Sequence, residues 1–400
     1  ASTGLRPGTD GRLRPRARAP RVNELHPGLV VADLEIGPVA HGGHFVARHE
    51  GRVIFVRHAL TGEVVDARIT SVNRRFARAD AVAVHRASPH RVTPPCPIAA
   101  QCGGCDFQHV EPAHTRELKR QVVAELLGHL AGYEFAGDVE EVLPAPLGWR
   151  RRMRYHLDAD GHPGLRAHRS AEVVPLPADG CRIADPAIAA PPTDPGRPGG
   201  EVLGVAAASG AGFLLPGAGG LVTEEVGEQS YLVAADGFWQ AHAGAPGVLV
   251  QRVLAGLAPR SGETALDLYC GVGLFAGALA ARGVRVWGVD GDRRATELAA
   301  RNVPDGEFVA GDVARRLPRL PGQVDLVVLD PPRTGAGADV LAGVAARRPR
   351  AIAYVACDPA ALGRDLRTAA GLGYEPSSVT AHDLFPLTHH VECVAILEAK

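Results

Sequence analysis

The 400-residue sequence has almost no net charge and no long apolar run, and each shortage excludes a class of protein. Its formal net charge is -1 at pH 7, so no overall basic field marks a nucleic-acid-binding protein; RNA or DNA contact would need local patches. No apolar run is long enough to span a bilayer, which predicts no membrane association. Residues 1–27 are rich in arginine but lack the apolar core of a secretory signal, and we expect a disordered basic arm there.

Cysteine is also scarce, and its distribution is uneven. Seven cysteines, an odd number in so long a chain, do not form a disulfide framework, so a reducing cytoplasm is the expected location. Three of them, Cys96, Cys102 and Cys105, lie within the stretch CPIAAQCGGCDFQH with the spacing of metal ligands. Three ligands rarely complete such a site, so a fourth is expected elsewhere in the chain.

Changes in sequence pattern divide the rest of the chain into three predicted domains. Short alternating bursts broken by glycine turns over residues 28–90 predict a small OB-like β-barrel. Residues 91–236 predict a mixed α+β central domain, in which the Pro/Gly-rich stretch 185–200 forms a loop. Residues 237–400 alternate apolar strands with helices, which is typical of a parallel α/β sheet of the Rossmann-like class.

A glycine loop follows the first strand of this α/β region. The segment ALDLYCGVGLFAGALA predicts a strand, a loop containing Gly271 and Gly273, and a helix. The next strand, VRVWGVD, ends at Asp290, where a carboxylate can accept hydrogen bonds from the ribose hydroxyls of an adenosine cofactor. Both a dinucleotide and S-adenosylmethionine fit this pattern. Asp267, just before the loop, favours S-adenosylmethionine because a carboxylate suits its ammonium group, and Asp312 is expected at the adenine edge.

Reactive side chains are predicted at the ends of the later strands. Asp330, in VVLDPPRTGAG, follows a strand and is expected in the crevice where such sheets bind ligands. The next strand ends at Cys357, a candidate nucleophile whose plain alternative is an ordinary buried cysteine. Glu392, in the last strand, is a candidate general base at the same edge. Arg333 stands where enzymes that methylate exocyclic amines carry an aromatic residue, so that reaction is disfavoured.

The assembled motifs resemble those of the RNA uridine-C5 methyltransferase family, in its form with an N-terminal TRAM domain and an iron-sulfur cluster. The similarity covers nearly the whole chain from about residue 28. It rests on the segments CPIAAQCGGCDFQH, DGFWQAH, DLYCGVGLF, LDPPRTGAG, YVACDPAALGRDL and HHVECVAIL, in that order.

The resemblance implies a fold, a reaction and roles for individual residues. It implies a TRAM barrel, a class I S-adenosylmethionine-dependent methyltransferase domain, and methyl transfer to C5 of a uridine in 23S rRNA or tRNA by a monomer. Cys357 would add to C6 of the base and Glu392 would remove the C5 proton, while Asp330 would lie between cofactor and base. Gln240, Tyr269, Asp290 and Asp312 would bind the cofactor.

The resemblance also supplies the missing sulfur ligand. Cys270, Cys357 and Cys393 belong to the catalytic half, which leaves Cys181 of PADGCRIADP. With Cys96, Cys102 and Cys105, it would bind a [4Fe-4S] cluster, for which zinc is the alternative because four cysteines suit both. A radical enzyme is disfavoured because a fourth cysteine would leave no iron open.

Two questions stay open at this point. The segment WRRRMR, residues 149–154, is a candidate RNA patch in which Trp149 stacks on a base, and its alternative is a solvated edge strand. The functional alternatives are an inactive RNA-binding protein with a degenerate methyltransferase domain, and a methyltransferase that acts on a non-RNA pyrimidine.

Overall fold

A computed structural model describes residues 25–194, 197 and 199–400. The predicted N-terminal arm lies outside these residues up to position 24, and three positions of the Pro/Gly-rich stretch are also outside them. Within the described part of the chain, no helix combines the length and the apolar character needed to cross a membrane.

The N-terminal region is a curved sheet of six short strands. These are β1 (Val30–Glu35), β2 (Val39–Ala40), β3 (His44–His49), β4 (Arg52–Arg57), β5 (Val64–Val72) and β6 (Phe76–Arg86). They pair in the order β1-β5-β6-β4-β3-β2, and β1 also contacts β3, so the sheet closes on itself. Alternate side chains point inward, which leaves Phe45, Ile54 and Val56 without solvent exposure. This is the small barrel that the alternating pattern predicts.

The central region combines one long helix with antiparallel strands. Its elements are α1 (Pro112–Ala131), β7 (Val139–Glu141), β8 (Arg152–Leu157), β9 (Pro163–Arg166), β10 (Val173–Pro175), β11 (Glu201–Ala207), β12 (Gly210–Leu214), β13 (Leu221–Val226) and β14 (Gln229–Ala234). Strands β8 to β12 form one sheet in the order β10-β9-β8-β11-β12, and β13 pairs only with β14. The described part of the Pro/Gly-rich stretch contains one 3-10 turn, Pro186–Ile188, whose Ile188 is buried.

The C-terminal region is an α/β sheet with helices on both faces. Its strands are β15 (Thr264–Leu268), β16 (Arg285–Asp290), β17 (Glu307–Ala310), β18 (Leu326–Leu329), β19 (Ala351–Ala356), β20 (Tyr374–Asp383) and β21 (Glu392–Ala399). Its helices are α2 (Ala245–Leu257), α3 (Leu274–Ala280), α4 (Arg293–Asn302), α5 (Val313–Arg316), α6 (Ala338–Ala345) and α7 (Pro359–Gly371). Strands β15 to β19 are parallel, whereas β21 runs antiparallel to β19 and β20.

The strand order of this sheet is β17-β16-β15-β18-β19-β21-β20-β7, with β7 of the central region added at one edge. The first seven strands have the order of the Rossmann-like class I methyltransferases, as the sequence predicts. Val123 and Leu127 of α1 share a buried cluster with Leu366 of α7, and packing therefore crosses the predicted boundary at residue 237. Lys119 of α1 fixes this contact, because its buried Nζ donates to Asp383 Oδ1 at 2.6 Å.

Candidate active site

A cavity of about 800 Å³ opens where the parallel strands of the catalytic sheet end. Parallel strands present their carboxyl ends at one edge, so the loops after β15, β16, β18 and β19 all reach this space. Seven of the nine residues predicted to be catalytic or to bind the cofactor line it. These are Gln240, Tyr269, Gly271, Asp290, Asp330, Cys357 and Glu392.

The glycine loop is held against the end of β16 by direct hydrogen bonds. The Asp290 carboxylate accepts from the backbone N–H of Gly271 at 2.9 Å and from that of Asp292 at 2.7 Å. Gly273 has φ +90°, a conformation that favours glycine, and forms the N-cap of α3. The loop therefore presents its backbone to the cavity beside an acidic group, an arrangement that suits an adenosine cofactor.

Asp267 does not occupy the place predicted for it. Its side chain is fully buried beneath the loop and does not line the cavity, so the structure does not bring it to the place where the predicted contact with an ammonium group would be made. One carboxylate oxygen accepts from the backbone N–H of Ala276 at 2.9 Å. Burial raises the pKa of Asp267 to about 8. The residue thus anchors the first turn of α3.

Two other predicted cofactor residues lie outside the cavity lining. Gly273 is set back behind the loop because it starts α3, and its neighbours there are Ala299 and Val303. Asp312 is exposed and caps α5, where its carboxylate accepts from the backbone N–H of Arg315 at 3.0 Å. Neither residue therefore lies where it would contact a molecule bound in the cavity.

The reactive side chains meet at the ends of β18, β19 and β21. Cys357 is half-buried, and burial together with Glu392 raises the pKa of its thiol to about 11, although Arg333 acts in the opposite direction. Glu392 is 4% exposed, and burial followed by Asp330 raises its pKa well above the ordinary value. Burial also raises the pKa of Asp330 to about 7. The candidate nucleophile and the candidate proton acceptor, both with shifted pKa values, thus line the same cavity.

A second group of cysteines surrounds a small cavity in the central region. Cys96, Cys102, Cys105 and Cys181 are all buried and line it together, as the sequence predicts for a common ligand set. Burial raises the pKa of Cys105 to about 12. The backbone N–H of Gly104 donates to Cys102 Sγ at 3.3 Å. Among the described residues, no three of these four sulfur atoms lie within 4.8 Å of one another.

The basic segment at residues 149–154 is not the base-stacking RNA patch that its sequence predicts. Trp149 has no solvent exposure and packs against His242 and Phe385, so it cannot stack on RNA. Arg151, Arg152 and Arg154 are paired with carboxylates on neighbouring strands. The partners are Glu224 for Arg151 and Arg152, and Glu201 for Arg154.

One residue that lines the main cavity was not among the site residues predicted from the sequence. Phe238 lines the cavity with 73% of its surface exposed, a rare position for an aromatic ring. It lies in the segment DGFWQAH, two residues before Gln240, while the adjacent Trp239 is buried. Two adjacent aromatic residues, Phe238 and Trp239, indicate that one ring is buried and the other exposed. The sequence does not tell which, because Trp239 is buried through its contact with Tyr231 of β14, a tertiary contact.

Three family models match parts of the chain. A TRAM domain matches residues 31–82, a methyltransferase domain matches residues 265–331, and a tRNA (Uracil-5-)-methyltransferase model matches residues 321–400. The first lies on the barrel and the other two on the catalytic sheet. They confirm the predicted fold class of a TRAM barrel followed by a class I methyltransferase domain.

Two relatives match along nearly the whole chain. An uncharacterized RNA methyltransferase of Streptomyces avermitilis is 46% identical, over 92% of this chain and 98% of that protein. The 23S rRNA (uracil(1939)-C(5))-methyltransferase RlmD of Shewanella sp. (strain MR-4) is 31% identical, over 90% of this chain and 93% of that protein.

A crystal structure agrees in fold. The tRNA (uracil-54, C5)-methyltransferase of Pyrococcus abyssi, solved with S-adenosyl-L-homocysteine, superposes with a TM-score of 0.69 at 24% identity, covering 91% of this chain and 99% of that one. Together with the family models and the full-length relatives, the cavity at the strand ends establishes that the chain belongs to the family of S-adenosylmethionine-dependent RNA uracil-C5 methyltransferases.

Proposed function

We propose that this protein methylates C5 of a uridine in structured RNA, either 23S rRNA or tRNA, through a covalent intermediate on Cys357. The observation that carries the proposal is that Cys357 and Glu392 line the same cavity as the glycine loop and Asp290. The candidate nucleophile, the candidate proton acceptor and the glycine loop that suits an adenosine cofactor therefore line one cavity. This combination argues against a degenerate, inactive methyltransferase domain.

S-adenosylmethionine supplies an electrophilic methyl group when it is bound. The backbone of Gly271 and the side chains of Gln240, Tyr269 and Asp290 would hold it, because all four line the wall around the glycine loop. Asp290 accepts two backbone hydrogen bonds and has further lone pairs for ribose hydroxyls. Asp330, with its raised pKa, would lie between this part of the cavity and the base.

Cys357 and Glu392 would act in sequence on the pyrimidine. The Cys357 thiol loses its proton to solvent. Its Sγ forms a bond to C6 as the C5–C6 π bond breaks, and the electron pair of that bond makes C5 nucleophilic. After C5 has gained the methyl group, Glu392 takes the remaining C5 proton. The electrons left at C5 restore the double bond and the Sγ–C6 bond breaks, which frees the thiolate. A carboxylate with a raised pKa is a suitable acceptor for such a carbon-bound proton.

For the four buried cysteines we propose a [4Fe-4S] cluster in preference to zinc. All four thiols are buried and line one cavity, so they can bind one group together. Four thiolates suit zinc as well as a [4Fe-4S] cluster, and the resemblance of CPIAAQCGGCDFQH to the iron-sulfur form of the family favours the cluster. The backbone N–H groups of Gly104, Ile183 and Ala184, which donate to Cys102 and Cys181, suit thiolate ligands.

The barrel supports RNA as the substrate over a small pyrimidine. A free base would need only the catalytic cavity, whereas an RNA strand needs an extended surface next to it. The seven cysteines, all within the described residues, form no disulfide, which suits a reducing cytoplasm.

RNA that carries 5-fluorouridine at the target position tests the mechanism, because fluorine at C5 cannot be removed as a proton. We expect wild-type protein with S-adenosylmethionine to form an adduct that survives denaturing electrophoresis, and Cys357→Ala to form none. Cys393→Ala, which removes a buried sulfur from the adjacent strand β21, is the matched control and should react like wild type. No adduct with wild type, or an equal adduct with Cys357→Ala, would show that the mechanism is wrong.

A further inference from the structure

A second cavity, of about 180 Å³, shares part of its lining with the larger one. Cys357 and Arg333 line both cavities. His41 of the barrel and His389 of the catalytic region line only the smaller one. The candidate nucleophile therefore borders both a space that suits cofactor and base and a smaller space whose lining includes a barrel residue.

The barrel turn that supplies His41 is packed tightly against the catalytic region. Gly43, two residues later, has φ +75°, and a Cβ atom there would lie 2.8 Å from the Cβ of His389 and 3.2 Å from that of Asp106. No larger residue fits without displacing these neighbours. The position of His41 at the smaller cavity is thus set by close packing.

Charges in this cavity favour an anion. His41 Nε2 lies 3.1 Å from Asp358 Oδ2, while the other oxygen of Asp358 accepts from the backbone N–H of Ala361 at the start of α7. The hydrogen bond to Asp358 raises the pKa of His41 and favours its charged form, in which the Nδ1–H remains available as a donor. Asp358, the one carboxylate in the lining, is therefore already paired.

Arg333 has no such partner. In the described part of the chain its hydrogen bonding is limited to His390 Nε2, at 3.3 Å, and it has no carboxylate neighbour within salt-bridge distance. His389 uses Nδ1 for Asp106, at 2.6 Å, which leaves its other ring nitrogen outside that pair. Among the described residues, the lining of the cavity thus contains one guanidinium without a carboxylate partner and three imidazoles, of which those of His41 and His389 each have one ring nitrogen outside their carboxylate pair.

We propose that this smaller cavity binds the backbone phosphate next to the target uridine, with Arg333 from the catalytic region and His41 from the barrel as its ligands. The inference rests on the proposed function. If Cys357 attacks C6, the adjacent N1 and its ribose must lie close to Cys357, because C6 is bonded to N1. The phosphate attached to that ribose then falls within reach of the smaller cavity. Guanidinium groups bind phosphate through paired, charge-assisted hydrogen bonds.

An uncharged phosphate tests this subsite directly. The substrate is an RNA hairpin cut from a transcript that the wild-type protein methylates, synthesised with a methylphosphonate on the 5′ side or the 3′ side of the target uridine. We expect one of the two substitutions to lower kcat/KM of the wild type about 10- to 100-fold, as the loss of one or two hydrogen bonds to a charged group should do. In Arg333→Gln the same substitution should cost only about two- to fivefold, because His41 alone is then left to bind the charge.

His41→Gln separates the barrel's contribution from that of Arg333, and His85→Gln is its matched control. His85 makes the same kind of pair, with Asp66 at 2.8 Å, on the same barrel but lines neither cavity. His41→Gln should shrink the methylphosphonate penalty about two- to fivefold, and His85→Gln should leave it unchanged.

Three outcomes would overturn the inference. If both methylphosphonates cost the wild type less than twofold while the natural hairpin is methylated, the subsite is wrong and the proposed function stands. If Arg333→Gln and His41→Gln keep the full penalty, the phosphate is bound elsewhere. If the wild type methylates no uridine in any transcript, the proposed function falls and this inference falls with it.

Discussion

The protein contains two kinds of cysteine site, and their environments are opposite. The four cysteines of the central region are buried around a cavity of their own, in loops before α1 and after β10. Cys357 is half-buried at the end of a parallel strand and borders two cavities. Both sites are built from cysteine, but only the Cys357 thiol is partly accessible to other molecules. This difference in accessibility is the physical basis for proposing metal binding by the four central cysteines and covalent chemistry at Cys357.

The two sites are nevertheless joined by the backbone. Asp106, next to Cys105, donates its N–H to Leu387 O at 3.0 Å, and its side chain is hydrogen-bonded to His389. Phe107 N–H also donates to Leu387 O, at 2.9 Å. The cysteine loop is therefore attached to the segment that leads into Glu392. A bound cluster would fix the shape of this loop without contacting the reacting atoms.

The largest effect is expected from Glu392→Gln, which removes the proposed proton acceptor and leaves all seven cysteines in place. Turnover should fall about 10²- to 10⁴-fold, the range for loss of a general base. Ordinary uridine RNA should then become trapped, because Cys357 cannot leave while the C5 proton remains. Denaturing electrophoresis and mass spectrometry would detect a covalent complex one methyl group heavier than the simple adduct.

Glu398→Gln is the control for that variant, since Glu398 lies on the same strand β21 but is exposed. Its turnover should equal that of the wild type. A Glu392→Gln protein that turns over normally, or that stalls before methyl transfer, would assign proton removal to another group.

Much of the catalytic site follows from strand order and could therefore be predicted. Asp290, Asp330 and Cys357 each follow a parallel strand, and such strands end at one edge of a sheet, so sequence position alone brings these residues together. Glu392 reaches the same edge because β21 runs in the opposite direction and begins there. The alternation of apolar strands and helices along the sequence is therefore enough to predict that these four residues lie at one edge of the sheet.

Side-chain direction and contacts between distant segments were not predictable in the same way. Asp267 lies at the correct end of β15, but its carboxylate points under α3, which depends on how the helix packs on the strand. The arginines at 151 and 152 resemble an exposed basic patch until Glu224, about seventy residues later, is placed beside them. The smaller cavity requires the barrel to dock near Cys357, and no local pattern encodes that contact.

The next effect in size is expected from Cys181→Ala, which breaks the ligand set of the central site. Iron, acid-labile sulfide and visible absorbance of anaerobically purified protein should be lost together. The free energy of unfolding should fall by roughly 4 kcal/mol, as for loss of a structural metal. Alkylation of Cys357 in the folded variant should keep its wild-type rate, because the two sites share no ligand.

Cys393→Ala again supplies the comparison, since it removes one buried sulfur that does not line the cavity of the four central cysteines. It should retain the metal and lose only about 1 kcal/mol. Zinc without iron in the wild-type protein would contradict the assignment of the cluster. Retention of iron by Cys181→Ala would contradict the assignment of the fourth ligand.

The smallest effect concerns the proton on Cys357, which can be followed by alkylation with iodoacetamide in the absence of cofactor and RNA. Because burial and Glu392 raise the pKa of the thiol to about 11, the reactive thiolate is a minor species near neutral pH. Its fraction, and hence the rate measured by mass spectrometry of the Cys357 peptide, should rise about tenfold per pH unit from pH 6.5 to 8.5. Arg333 lowers the same pKa, so Arg333→Gln should slow alkylation a few-fold at fixed pH. A rate that levels off near pH 7 would mean that the resting protein already holds a thiolate, and the contrast between a protonated catalytic cysteine and metal-binding thiolates would fail.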